Sequence, residues 1–93
     1  MILSVRHTTA DFEAWKRVFL EHGAVRKEHG STGHTLLRSA EDPNSVLVLN
    51  HFPDRASIDA FHNDPSLPEV MQRAGVTSAP DITVWELDEE TPY

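Results

Sequence analysis

Apolar residues along this chain recur with two different periods, and the changes of period mark the elements. Ile2 to His7 alternates weakly and is rich in apolar residues, which predicts a first strand. From Phe12 the period lengthens. Phe12, Trp15, Val18, Phe19, His22 and Val25 recur at steps of three and four and form one helical stripe. Thr8, Thr9 and Asp11 precede this stripe as candidate caps, and Thr8-x-x-Asp11 resembles a capping box. The helix is predicted to run to about His29, with Gly30 free to take the left-handed position beyond it. Gly23 inside it costs roughly 1 kcal/mol relative to alanine and marks a bend or a close contact.

The period then returns to two. Gly33–Ser39 and Ser45–Phe52 read as a hairpin around Asp42-Pro43-Asn44. Pairing Ser39 with Val46 sets Leu37 opposite Val48, Thr35 opposite Asn50 and His34 opposite His51. Asp54 is placed to cap a short helix through Phe61, with Ala56, Ile58 and Phe61 facing inward. Asn63-Asp64-Pro65 interrupts. Leu67, Val70, Met71 and Ala74 then line a second short helix that Gly75 stops. Ala79-Pro80 leads into a last strand, Asp81 to Leu87, and residues 88–93 form an acidic tail.

The resulting order, β-α-β-β-α-β over residues 1–87, predicts one α+β domain of the ferredoxin-like type. Its four-stranded antiparallel sheet carries the helices on one face. The third strand, however, is apolar on both faces: Leu47 and Leu49 on one, Val46, Val48 and Phe52 on the other. Such a strand calls for cover on both sides. A second copy of the same sheet is the simplest cover, which predicts a homodimer packed through sheets with closed two-fold symmetry.

Composition narrows the partners. Eight basic residues against 15 acidic ones give a net charge of −7, the wrong sign for nucleic acid or an anionic membrane surface. The absence of cysteine excludes disulfides, thiolate metal sites and a cysteine nucleophile. No stretch approaches the ~20 apolar residues of a membrane span, and Met1 leads directly into a strand without a signal-like core, so a cytoplasmic protein is expected.

Several segments in order resemble the dimeric α+β barrel superfamily, specifically the small cyclase-like proteins grouped with antibiotic-biosynthesis monooxygenases. They are Asp11-Phe-Glu-Ala-Trp-Lys16, Gly33-His-Thr-Leu-Leu-Arg38, Ser39-Ala-Glu-Asp-Pro-Asn44, Phe52 with Asp59-Ala60-Phe61, and the run from Pro65 to Gly75. The resemblance spans about Ile2 to Glu86. It implies two sheets packed back to back and, in each subunit, a pocket between helices and sheet. Members of the superfamily are cofactor-free oxygenases of polycyclic aromatic substrates, haem-handling proteins, isomerases, and proteins with no assigned activity. The resemblance carries no catalytic residue over by motif, so function inferred this way is analogy.

The candidate chemistry starts with His34 and His51. Side by side on a sheet face, they offer a proton acceptor near neutral pH, or two ligands to a divalent metal. A metal site wants a third ligand, which Glu86 or His7 would supply only if the sheet faces agree. The plainer reading is a hydrogen-bonded cross-strand pair, and a slip of one residue would separate the two rings. Arg38, midway along the hairpin, is placed to hold an acidic or enolate group, or to pair with Glu41 or Asp42. Asn50 is an amide in an apolar strand and needs a hydrogen-bond partner if buried. Trp15, Trp85 and His7 are the candidate ligand-binding residues, weighed against ordinary core packing. His22 and His29 read as the border of the helical stripe rather than as site residues. The combined expectation is a pocket for a small hydrophobic molecule, oxidised or isomerised without a cofactor. Its competitor is a binding module without catalysis.

Overall fold

Strand and helix alternate in the computed structural model, which describes residues 1–93, as the periodicity requires. The elements are β1 (Ile2–Thr8), α1 (Phe12–Glu21), α2 (Gly23–Glu28), β2 (Gly33–Arg38), β3 (Ser45–His51), α3 (Arg55–His62), α4 (Leu67–Arg73) and β4 (Asp81–Trp85). The strands form one antiparallel sheet in the order β2-β3-β1-β4, the ferredoxin-like topology expected.

Local chemistry sets the element ends. Asp11 caps α1, its carboxylate accepting from the Glu13 amide at 3.1 Å. The Thr8-x-x-Asp11 capping box does not form, because Thr8 is still in β1 and pairs with Ser45. Asp54 caps α3 through the Ser57 amide at 2.8 Å. That starting point turns Ile58 and Phe61 inward and leaves Ala56 exposed, contrary to the expected inward face. Gly75 ends α4 at φ +78°, a conformation that strains any other residue. The long first helix breaks at His22, next to Gly23, so that α2 sets off as a separate turn.

The hairpin register differs from the sequence expectation by one residue. His34 pairs with Asn50, Leu36 with Val48, Arg38 with Val46 and Gly33 with His51. The connection explains the slip. Ser39 Oγ accepts from the Glu41 and Asp42 amides, and Asp42 accepts from the Asn44 amide. Asn44 itself belongs to the β1–α1 junction: its side-chain oxygen accepts from Phe12 N and its carbonyl from Thr9 N. Tethering the turn to that junction decides where β3 begins. Because side chains alternate along a strand, His34 and His51 then lie on opposite faces.

The register also assigns the faces. Leu3, Val5 and His7 of β1 join Val46, Val48 and Asn50 of β3 against the helices. Two apolar clusters fill that layer, one built on Phe12, Trp15, Val46, Val48 and Ala74, the other on Leu3, Phe52, Ile58 and Phe61. The opposite face carries Ile2, Leu37, Leu47, Leu49 and Trp85, with Leu37 and Trp85 45% and 54% exposed. No helix of the chain is long and apolar enough to cross a membrane.

Candidate ligand pocket

A cavity of about 80 Å³ lies between the helix-side face of the sheet and helices α1, α2 and α4. Its floor is strand: Leu3, Val5 and His7 from β1, Val48 and Asn50 from β3. Its walls are Trp15 and Phe19 of α1 and Leu67, Val70 and Met71 of α4. Twelve of its 17 lining residues are hydrophobic, so each polar group that reaches it stands out.

Two of those groups are unsatisfied. Neither ring nitrogen of His7 has a partner in the chain, and neither does the Asn50 side-chain oxygen. Asn50 Nδ2 reaches only the Leu3 carbonyl, at 3.5 Å. His7 and Asn50 are 6% and 3% exposed. A buried polar atom left unpaired costs about 1–3 kcal/mol, and folded proteins keep few of them. Burial lowers the His7 pKa from its ordinary 6.5, so its imidazole is neutral at pH 7.

An aromatic stack forms one wall. Phe12 lies against Trp15 (5.9 Å between centroids), and Trp15 against Phe19 (5.0 Å, 11° between planes). The His7 ring meets Trp15 edge-on at 5.5 Å. Cations close both ends: the Arg38 guanidinium lies 4.4 Å from the Phe12 centroid and Arg26 lies 3.8 Å from that of Phe19. Arg26 is 4% exposed and has no carboxylate partner. It donates to the Phe19 carbonyl at 2.8 Å, beside the break that ends α1, and burial lowers its pKa to about 10. It remains a cation at neutral pH.

His22, at the break itself, also lines the cavity. Its Nε2 is 3.1 Å from Ser66 Oγ, and Ser66 Oγ donates to Asp64 at 2.5 Å. Burial first, and then the nearby Arg26, lower the His22 pKa.

Of the residues singled out from the sequence, the fold brings Asn50, His7 and Trp15 together at this cavity. His34 shares their face but stands at the edge strand, exposed, with its ring edge-on to Phe19 at 4.9 Å. Burial and then Arg26 lower its pKa. Arg38 covers Phe12 outside the lining. His51 and Trp85 point from the other face. His51 Nε2 is 3.1 Å from Thr35 Oγ1, and Trp85 Nε1 donates to Ser4 Oγ at 2.7 Å. The joint His34–His51 site, whether acid–base or metal, is therefore not formed. No group of three or more histidine or acidic residues is positioned to hold a metal ion.

Arg26, His22 and His62 are the polar cavity residues that sequence reasoning missed. His22 lies on the helical stripe that ends in Val25, whereas Arg26, four residues beyond it, carries a charge and reads as solvated.

This combination defines a ferredoxin-like α+β domain with an apolar pocket that holds unpaired polar groups between sheet and helices. The chain belongs to the antibiotic biosynthesis monooxygenase family, whose model matches residues 1–73. Solved structures share the fold at low identity. A cofactor-independent oxygenase from Streptomyces nogalater, SnoaB, aligns at 20% identity over 94% of this chain and 93% of its own, with a TM-score of 0.74. A protein of unknown function from Nitrosomonas europaea aligns at 22% identity over 99% and 93%, with a TM-score of 0.73. A protein from Mycobacterium tuberculosis aligns at 14% over 97% and 98%, with a TM-score of 0.61. No curated protein matches the chain.

Proposed function

We propose that this protein binds a small hydroxylated aromatic molecule in the cavity and oxygenates it without a cofactor. The observation that carries the reading is the set of unpaired polar atoms on His7 and Asn50, buried in an otherwise apolar pocket. A ligand bearing phenolic or carbonyl oxygens would supply the missing partners. The Trp15–Phe19 stack offers a flat wall for its ring.

The reaction class needs no electrons from the protein. Loss of a proton from a phenolic substrate with an acidic C–H gives an enolate, which donates electrons to dioxygen. A hydroperoxide forms at carbon and breaks down to a carbonyl and water, so R₂CH₂ and O₂ become R₂C=O and H₂O. Asn50 and His7 orient the oxygens, and the unpaired charge of Arg26 stabilises the enolate in a site of low dielectric. Membership of the monooxygenase family and the likeness to a cofactor-independent oxygenase support this reading.

The apolar outer face of the sheet supports a homodimer, with Leu37, Leu47, Leu49 and Trp85 against their counterparts in a second copy. The small size of the cavity favours one competitor, a binding protein without turnover.

Oxygen uptake with 1,8-dihydroxyanthrone, with no added metal or cofactor, distinguishes the two. Catalysis predicts uptake above the spontaneous rate and a product with one oxygen atom from O₂. It also predicts that both are lost in Asn50→Leu. Saturable binding with uptake no faster than the buffer control would establish the competitor.

A further inference from the structure

Four side chains outside the set just used are linked in series from the surface to the cavity. His29 Nε2 is 2.8 Å from Asp64 Oδ2. Asp64 Oδ1 is 2.5 Å from Ser66 Oγ, and Ser66 Oγ is 3.1 Å from His22 Nε2. The series joins the α1–α2 break to the α3–α4 connection across 44 residues of sequence.

Counting protons along it leaves a single arrangement. Hydrogen bonds, first from His29 and then from Ser66, hold the Asp64 carboxyl well below its usual range, so Asp64 is an acceptor only. Ser66 has one hydroxyl proton and gives it to Asp64. Towards His22 its oxygen can then only accept, so His22 must carry its proton on Nε2. The other nitrogen, Nδ1, keeps its lone pair. No other group in the chain bonds to it, and the ring lines the cavity.

We propose that His22 is the proton acceptor of the pocket, acting through Nδ1, and that Asp64 fixes its tautomer through Ser66. The inference rests on the cavity's being the ligand site. A ligand hydroxyl transfers its proton to Nδ1, leaving an oxyanion and an imidazolium. Asp64 favours the imidazolium through the intervening hydroxyl, as the carboxylate does in hydrolase triads. Arg26 and Arg73, the cations that face His22, oppose its charge while the pocket is empty. Arg26, which lines the same cavity, is also placed to favour the oxyanion once it forms. Ser66 and Asp64 are positioning residues, and His29 holds the far oxygen of the carboxylate.

Long-range ¹H–¹⁵N correlation spectra of the labelled protein at pH 7.5 report each histidine's tautomer directly. Wild type is expected to show His22 protonated on Nε2 alone. Ser66→Ala and Asp64→Asn are each expected to release that preference, with an Nδ1-protonated form appearing while the tautomers of His7, His34, His51 and His62 stay in place; His29, bonded directly to Asp64, responds to Asp64→Asn as well. Adding 4-nitrophenol to wild type is expected to shift the His22 Nδ1 resonance. A wild-type His22 protonated on Nδ1, or a tautomer indifferent to both substitutions, overturns the proposal. If 4-nitrophenol shifts other cavity residues but not Nδ1, His22 is not the acceptor. If no cavity residue responds, the aromatic-ligand reading and the acceptor role built on it both fall, while the tautomer results stand.

Discussion

Replacing Asn50 by leucine should make the protein more stable and less able to bind its ligand. The unpaired Asn50 oxygen costs about 1–3 kcal/mol when no ligand is bound. The substitution gives up little in return, since the only bond of Nδ2 is 3.5 Å long, at the limit of a hydrogen bond. Leucine has the same branching as asparagine and adds apolar area beside its strand partner Leu3. Its larger methyl ends offset part of the gain, about 1 kcal/mol at the low end for overpacking. The net expectation is a gain of about 0–2 kcal/mol, and each kcal/mol shifts Tm by about 4–8 °C in a domain of this size. Urea unfolding followed by circular dichroism measures it, at one fixed protein concentration because association would add to stability. A loss of 1 kcal/mol or more in Asn50→Leu would refute the reasoning, because it would mean that the amide is satisfied in the free protein. Stability given up for the sake of function is what a preorganised binding site should display.

Four further expectations follow from the same structure. Stability should fall as pH drops below about 6.5, the ordinary histidine value, because buried neutral His7 binds its proton only once unfolded. His7→Phe should flatten that part of a urea-midpoint profile between pH 5 and 7. Gly75→Ala should cost about 1–2 kcal/mol from backbone strain alone, since the added carbon would meet only Ala10 at an ordinary 3.7 Å; calorimetry reads the loss. Ile58→Ala, at 2% exposure, should cost about 2–5 kcal/mol in the same urea experiment. Leu49→Asp, on the outer sheet face, should convert a dimer to a monomer in sedimentation velocity while the far-ultraviolet spectrum stays unchanged.

The elements were legible because their periods are clean. The stripe of α1 comes from burial on one side, which leaves its mark on sequence, and β3 shows as an unbroken apolar run between Pro43 and Pro53. The hairpin register was not, because it is decided by contacts far along the chain. Asn44 binds Phe12 N and Thr9 N, and no local pattern in residues 33–52 contains that information. The one-residue slip separated His34 from His51 and brought Asn50 opposite His34 instead. Asn50 itself was readable as a lone amide in an apolar strand, and His7 as a strand-end residue on a face that β4 and β3 would complete. Arg26 was hidden for a different reason. A charged residue on a helix reads as solvated, and its burial depends on the Phe19 ring and on a carbonyl at a helix break. His22 gained its place from the same break.

Native mass spectrometry after incubation with 1,8-dihydroxyanthraquinone tests the central claim most directly, comparing wild type with Asn50→Leu. The account predicts a dimer carrying one ligand per subunit for wild type, and at least tenfold weaker loading for the variant. Equal loading of the two proteins would show that the ligand does not use Asn50 and would contradict the assignment of this cavity as the binding site.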